Sequence, residues 1–153
     1  MLNMVEPYGN YIYMTDFENS QLLKQKLGTE NIEVVTNNLG EFTEGSEGYG
    51  ISHIFDNHLI LSSYYDNGKK FGDIKYLSID LETGEKTPIS ILGEDVVGLQ
   101  RLARIYGATP NNLMILLNTS EDDATLADFA IISKADFLSN NPQIVPIGRN
   151  RIG

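Results

Sequence analysis

A chain of 153 residues with 41% hydrophobic content can bury one substantial core and carries no bias towards disorder or low complexity. Its 11 basic and 21 acidic residues leave a formal charge of −10, which repels phosphate backbones and anionic lipid surfaces and argues against nucleic acid as a partner. There is no cysteine, so disulfides, thiolate metal sites and a cysteine nucleophile are excluded, and no apolar run nears the roughly 20 residues of a membrane-spanning helix.

The opening residues 1–7 (MLNMVEP) are too short and lack the basic start of a signal peptide, so any export signal is expected outside this chain. Only nine residues precede Asn10, which leaves little room for a full strand there. Residues 10–16 (NYIYMTD) then read as a strand, followed by 21–27 and 32–36. The second pass reads as strands at 49–55, 57–63, 73–81 and 87–92. The third reads as strands at 100–106, 112–118, 128–133 and 143–147. Three of these strands open on an asparagine, at Asn10, Asn57 and Asn112, and the starts lie 47 and 55 residues apart. The order of strands and polar gaps is the same each time, which marks an internal repeat.

The turns fit hairpins. Gly84 in Leu81-Glu82-Thr83-Gly84-Glu85-Lys86 and Gly28 in the first pass supply the positive φ of tight turns. Residues 135–142 have room for one helical turn before Asn-Asn-Pro restarts an extended chain. Residues 95–106 offer two readings. Val96, Leu99, Leu102 and Tyr106 suit a helix face with Asp95 as N-cap, whereas Gly98 and the match to the second pass favour a strand. Residues 113–117 are apolar throughout, as in a strand covered on both sides.

Four short strands per repeat of about 50 residues predict an all-β chain of about three four-stranded antiparallel blades of a partial β-propeller. The divisions are residues 8–40 (a partial blade), 41–93 and 94–148, within one all-β domain or fragment. The rival architecture is an antiparallel β-sandwich.

Tyr13-Met14-Thr15-Asp16, with Leu22, Leu23 and Leu27-Gly28 downstream, resembles the Tyr-Trp-Thr-Asp repeat of lipoprotein-receptor propellers and of related propeller domains in bacterial exported proteins. Methionine stands in place of tryptophan. The match covers about 20 residues and does not recur, since Leu61-Ser62-Ser63 and Leu116-Leu117-Asn118 hold the equivalent places. The resemblance implies a ring, usually of six blades, used as a binding platform and found outside the bacterial cytoplasm. Three blades cannot close such a ring. The chain is then expected to be a piece of a longer protein, which the break at residues 148–153 favours, or one half of a homodimer.

No residue set demands catalysis. His53, His58 and Asp56 could offer two histidines and a carboxylate to a metal, but two unrelated histidines near a turn explain them as well. The segment from Asp66 to Asp73 has oxygen side chains around glycines without the alternating ligands and closing glutamate of an EF-hand. Glu121-Asp122-Asp123 reads as solvated loop charge. Ser62 and Ser63 lack the Gly-x-Ser-x-Gly setting of a nucleophile, and Gly45-Ser46-Glu47-Gly48-Tyr49-Gly50 lacks the lysine of a phosphate loop.

Eight tyrosines are more suggestive, because a phenol joins apolar area to a polar tip. Tyr11 and Tyr13 read as packing. The loops between equivalent strands are the expected contact rim: Asp16 to Ser20, then Tyr64 to Asp73 with Tyr64, Tyr65, Asp66, Asn67, Phe71 and Asp73, and Thr119 to Asp128 with Asp122 and Asp123. The leading expectation is a non-catalytic binding or scaffold module in a larger ring, without cofactor, metal or nucleic acid. The alternatives are a propeller enzyme with a central-channel site near Ser52, His53, Arg101 and Arg104, and a dimer that closes a six-bladed ring.

Overall fold

The computed structural model describes residues 2–66, 73–89, 101–118, 127–141 and 143–147. Among them, strands in chain order form three four-stranded antiparallel sheets, each pairing sequence neighbours only. The first sheet holds β1 (Leu2–Tyr8), β2 (Tyr11–Asp16), β3 (Gln21–Lys26) and β4 (Ile32–Thr36). The second holds β5 (Gly48–Phe55), β6 (His58–Tyr65), β7 (Asp73–Asp80) and β8 (Lys86–Ile89). The third holds β9 (Arg101–Ala108), β10 (Asn112–Asn118), β11 (Ala127–Ser133) and β12 (Val145–Ile147). Two short helices, α1 (Gly40–Thr43) and α2 (Lys134–Leu138), complete the described elements. The fold is all-β.

The sequence left too little room for a strand before Asn10, and here the structure differs. Residues Leu2–Tyr8 form β1, paired antiparallel with β2 from Tyr8↔Tyr11 to Leu2↔Asp16. A turn of only Gly9 and Asn10, with Gly9 at φ 59°, spares enough residues for seven in the strand. The ambiguous third-pass segment is a strand at Arg101–Ala108, pairing with β10 along its length. Pairing with β10, apolar from Leu113 to Leu117, outweighs the helical spacing, although Asp95 to Leu99 lie outside the described residues. The expected helical turn after the third pass is α2, whose N-cap Ser133 accepts from the Asp136 N–H.

The chain divides into two compact units. One comprises Met1–Tyr65 and Lys75–Pro88, with the first two sheets, and the other comprises Asp66–Ile74 and Ile89–Gly153, with the third. Within the first unit the two sheets share one core. Tyr13, Leu22 and Leu39 meet Ile51, Leu59, Leu61, Leu77, Ile79 and Leu81, with Tyr11, Phe42 and Tyr49 packed at the margin. Tyr11 and Tyr13 are thus packing residues, as their place on one strand face suggested. The turn of β7–β8 fits closely against β4: a Cβ on Gly84, at φ 77°, would lie 2.5 Å from the Val35 carbonyl oxygen.

In the second unit, Leu113, Ile115 and Leu117 alternate with Met114 and Leu116, and the first set is buried together with Ile105, Ala130 and Ile132. The unbroken apolar run of β10 therefore serves two faces. One is buried, while Met114 on the other remains 41% exposed. Lys134 is also buried here, its ammonium donating to the Pro110 carbonyl at 3.1 Å and so tying α2 to the β9–β10 turn.

Candidate functional site

The first unit gathers aromatic and polar side chains at the ends of β2, β5 and β6. Asp16, the last residue of β2, is buried and folds the next turn around its carboxylate. It accepts from the backbone N–H groups of Glu18 (3.1 Å) and Asn19 (3.3 Å) and from the Asn19 amide at 2.8 Å. That side-chain hydrogen bond from Asn19 does most to hold the carboxyl below its ordinary value of 3.8, against the opposing effect of burial. Ser20, at φ 51°, turns the chain back, and its carbonyl accepts from the Leu39 N–H at 3.0 Å. Phe17 in the same turn meets Tyr49 of β5 edge to face, with ring centroids 4.2 Å apart.

Tyr49 faces Ser63 in the β5–β6 register. The hydroxyls of both residues are buried and have no hydrogen-bond partner among the described residues. Burial pushes the Tyr49 phenol above its ordinary value of 10.0, and the nearby Asp16 charge adds to the shift. A neutral phenol with an uncommitted hydroxyl, a serine and a carboxylate are thus brought to one end of the two-sheet core.

The expected contact residues divide. Tyr64 is 44% exposed, and its backbone carbonyl accepts from the Glu47 N–H at 2.8 Å. Tyr65 is half-buried, donates its hydroxyl to the Phe42 carbonyl and has the Lys75 ammonium 4.5 Å from its ring centroid. Its polar tip and one ring face are therefore engaged within the fold. Asp66 is exposed, and Asp73 begins β7. Asn67, Phe71, Asp122 and Asp123 lie outside the described residues. Phe17 lies in the first of the expected contact loops, whereas Tyr49 and Ser63 were not singled out as contact residues. Their signal was faint, because the pairing of a glycine-flanked tyrosine with a distant serine is set by register.

The histidines have separate partners. His58 donates from Nδ1 to the Asp56 carbonyl at 2.7 Å, and its Nε2 lies 3.8 Å from the Asp80 carboxylate. His53 Nδ1 and the Ser52 hydroxyl are 3.3 Å apart. Among the described residues no three histidine, aspartate or glutamate side chains are grouped to hold a metal ion. Nor is any described helix long and apolar enough to cross a membrane.

No known protein-family model matches the chain, and no curated protein matches it.

Proposed function

We propose that the chain is a non-catalytic, β-propeller-like binding or scaffold module that forms part of a larger ring. The observation that carries this reading is the threefold recurrence of one unit, four strands paired strictly in chain order. Sequential four-stranded sheets are the building block of propeller blades, whereas a sandwich of this size generally exchanges strands between its sheets. The stacking of the first two sheets through a shared apolar core agrees with blade packing. The Tyr13-Met14-Thr15-Asp16 resemblance falls on β2, the same strand of its sheet as β6 and β10. It adds an exported bacterial setting to the reading.

Contacts are assigned to the loops after β2, β6 and β10, with Tyr64 the best placed of the described aromatic side chains. Such a platform presents loops from successive blades, so affinity comes from several weak contacts rather than one pocket.

Solution mass tests the reading. A ring segment exposes blade faces and should pair, oligomerise or aggregate as concentration rises. A compact monomer at 17.0 kDa that stays monomeric and binds no apolar dye would overturn the ring and leave the sandwich.

A further inference from the structure

Two turns meet at one end of the second sheet. His58 opens β6 beside the β5–β6 turn, and Asp80 closes β7 at the β7–β8 turn. The first turn is tight, with Asp56 and Asn57 at φ 46° and 60°. The Leu81 N–H donates to the Asn57 carbonyl at 3.0 Å, so one backbone hydrogen bond already links the two turns. The side chains of His58 and Asp80 make a second link, and its character depends on where the imidazole carries hydrogen.

A carbonyl oxygen can only accept, so the 2.7 Å contact between His58 Nδ1 and the Asp56 carbonyl places a hydrogen on Nδ1. A neutral imidazole then has none on Nε2. Its lone pair lies 3.8 Å from Oδ2 of Asp80, acceptor against acceptor. A second proton, gained at Nε2, reverses the contact, because imidazolium then meets carboxylate with an N–H between them. Oδ1 of Asp80 is already engaged by the Glu82 and Thr83 N–H groups, which holds the carboxylate in place for Oδ2 to accept.

We propose that His58 and Asp80 form a proton-operated clamp that fastens the β5–β6 turn to the β7–β8 turn as pH falls. The inference stands apart from the blade reading. The ionisable groups of the elements that meet here favour a charged imidazole. Asp56, Glu82 and Glu85 in the two turns are carboxylates. Tyr8, at the end of β1, is a phenol whose oxygen accepts from the Asn57 N–H at 3.0 Å. Lys86, the cation at the start of β8, donates to the Asn37 carbonyl at 2.9 Å. Unfolding separates His58 from Asp80, so the folded chain holds the second proton more tightly. Stability is therefore gained as pH falls from about 8 to about 5 and lost as it rises again. The gain ends once Asp80 itself is protonated, below the ordinary carboxyl value of 3.8. The two side chains are 29% and 33% exposed, so solvent and salt screen them, and the folding equilibrium should change about threefold. The clamp lies at the end of the second sheet away from the β6–β7 loop, and stiffens that end without altering the proposed contacts.

With only two histidines in the chain, the imidazole signals are readily separated by NMR, and His53→Gln identifies those of His58. At about pH 8 the nitrogen shifts of His58 should show hydrogen on Nδ1. Hydrogen on Nε2 instead would overturn the clamp. Urea unfolding of wild type, His58→Gln, Asp80→Asn and the double variant then gives the coupling between the two side chains. It should be negligible at about pH 8, about threefold in the folding equilibrium at about pH 5, and smaller when salt is added. Equal coupling at both pH values would assign the contact to packing, and no coupling at either would remove it. Should a variant fail to fold, wild type alone decides. Protection of the Leu81 N–H from hydrogen exchange, corrected for the intrinsic effect of pH, should rise about threefold over the same range, and protection that stays level overturns the proposal.

Discussion

Asp16 and Asp80 do the same work in two different sheets. Asp80 ends β7 and accepts from the Glu82 and Thr83 N–H groups at 2.9 and 3.1 Å, as Asp16 does from Glu18 and Asn19. These backbone hydrogen bonds, Glu82 first, hold the Asp80 carboxyl below its ordinary value of 3.8. A carboxyl whose folded value is depressed contributes stability above the unfolded value and loses it as pH falls through the folded one. Asp80→Asn should therefore be less stable than wild type near neutrality, and the gap should close as pH falls below 3.8, measured by urea unfolding at each pH. A gap that persists unchanged at low pH would assign the effect to shape rather than charge. Glycines offer a second contrast. Gly28→Ala, at φ 80° with open space around it, should cost about 1 kcal/mol from backbone strain alone. Gly84→Ala adds the clash with Val35 and should cost about 3 kcal/mol or more. Both turn glycines were legible from their neighbours in sequence. The closeness of Val35 to Gly84 was not, because it is set by how two sheets pack.

At the scale of elements, the hairpin strands were readable because each is bounded by turn residues and fills one period of apolar alternation. The β3 and β10 positions follow directly from Gln21 and from the run beginning at Asn112. The strand before Asn10 was missed, since counting residues underestimates how little a two-residue turn consumes. The strand preferred for residues 100–106 is β9, and its bulge against β10 between Met114 and Ile115 displaces Tyr106 from simple alternation, which is why the segment also read as a helix face. The candidate contact loop was legible as a loop. The engagement of Tyr65 with Phe42 was not, because α1 gives no strong pattern in sequence. Two measurements bear on these elements. Ser133→Ala removes the N-cap of α2 and should cost about 1 kcal/mol by denaturant unfolding. Leu61→Ala, in the shared core of the first unit and fully buried, should cost about 3 kcal/mol; a cost under 1 kcal/mol would mean that the two sheets do not pack there.

For the molecule as a whole, the buried hydroxyls of Tyr49 and Ser63 make an opposite prediction. Removing both, by Tyr49→Phe with Ser63→Ala, deletes polar groups that have no partner among the described residues and should leave stability unchanged or raise it by about 1 kcal/mol. A loss greater than that would show the hydroxyls to be tied into the fold, and a gain in stability with a loss of ligand contact would place them in the binding surface. The strictly sequential pairing of strands has a kinetic consequence. Every sheet pairs strands that are neighbours in sequence, so the chain has few distant pairings to find and should fold in milliseconds rather than seconds. The first sheet is complete by Thr36 and can assemble while the rest of the chain is still being synthesised. Until the second sheet packs on it, its core face, with Tyr13 and Leu22, would be exposed on the ribosome. Production of this protein in cells should accordingly be limited less by folding than by what the nascent sheet touches first.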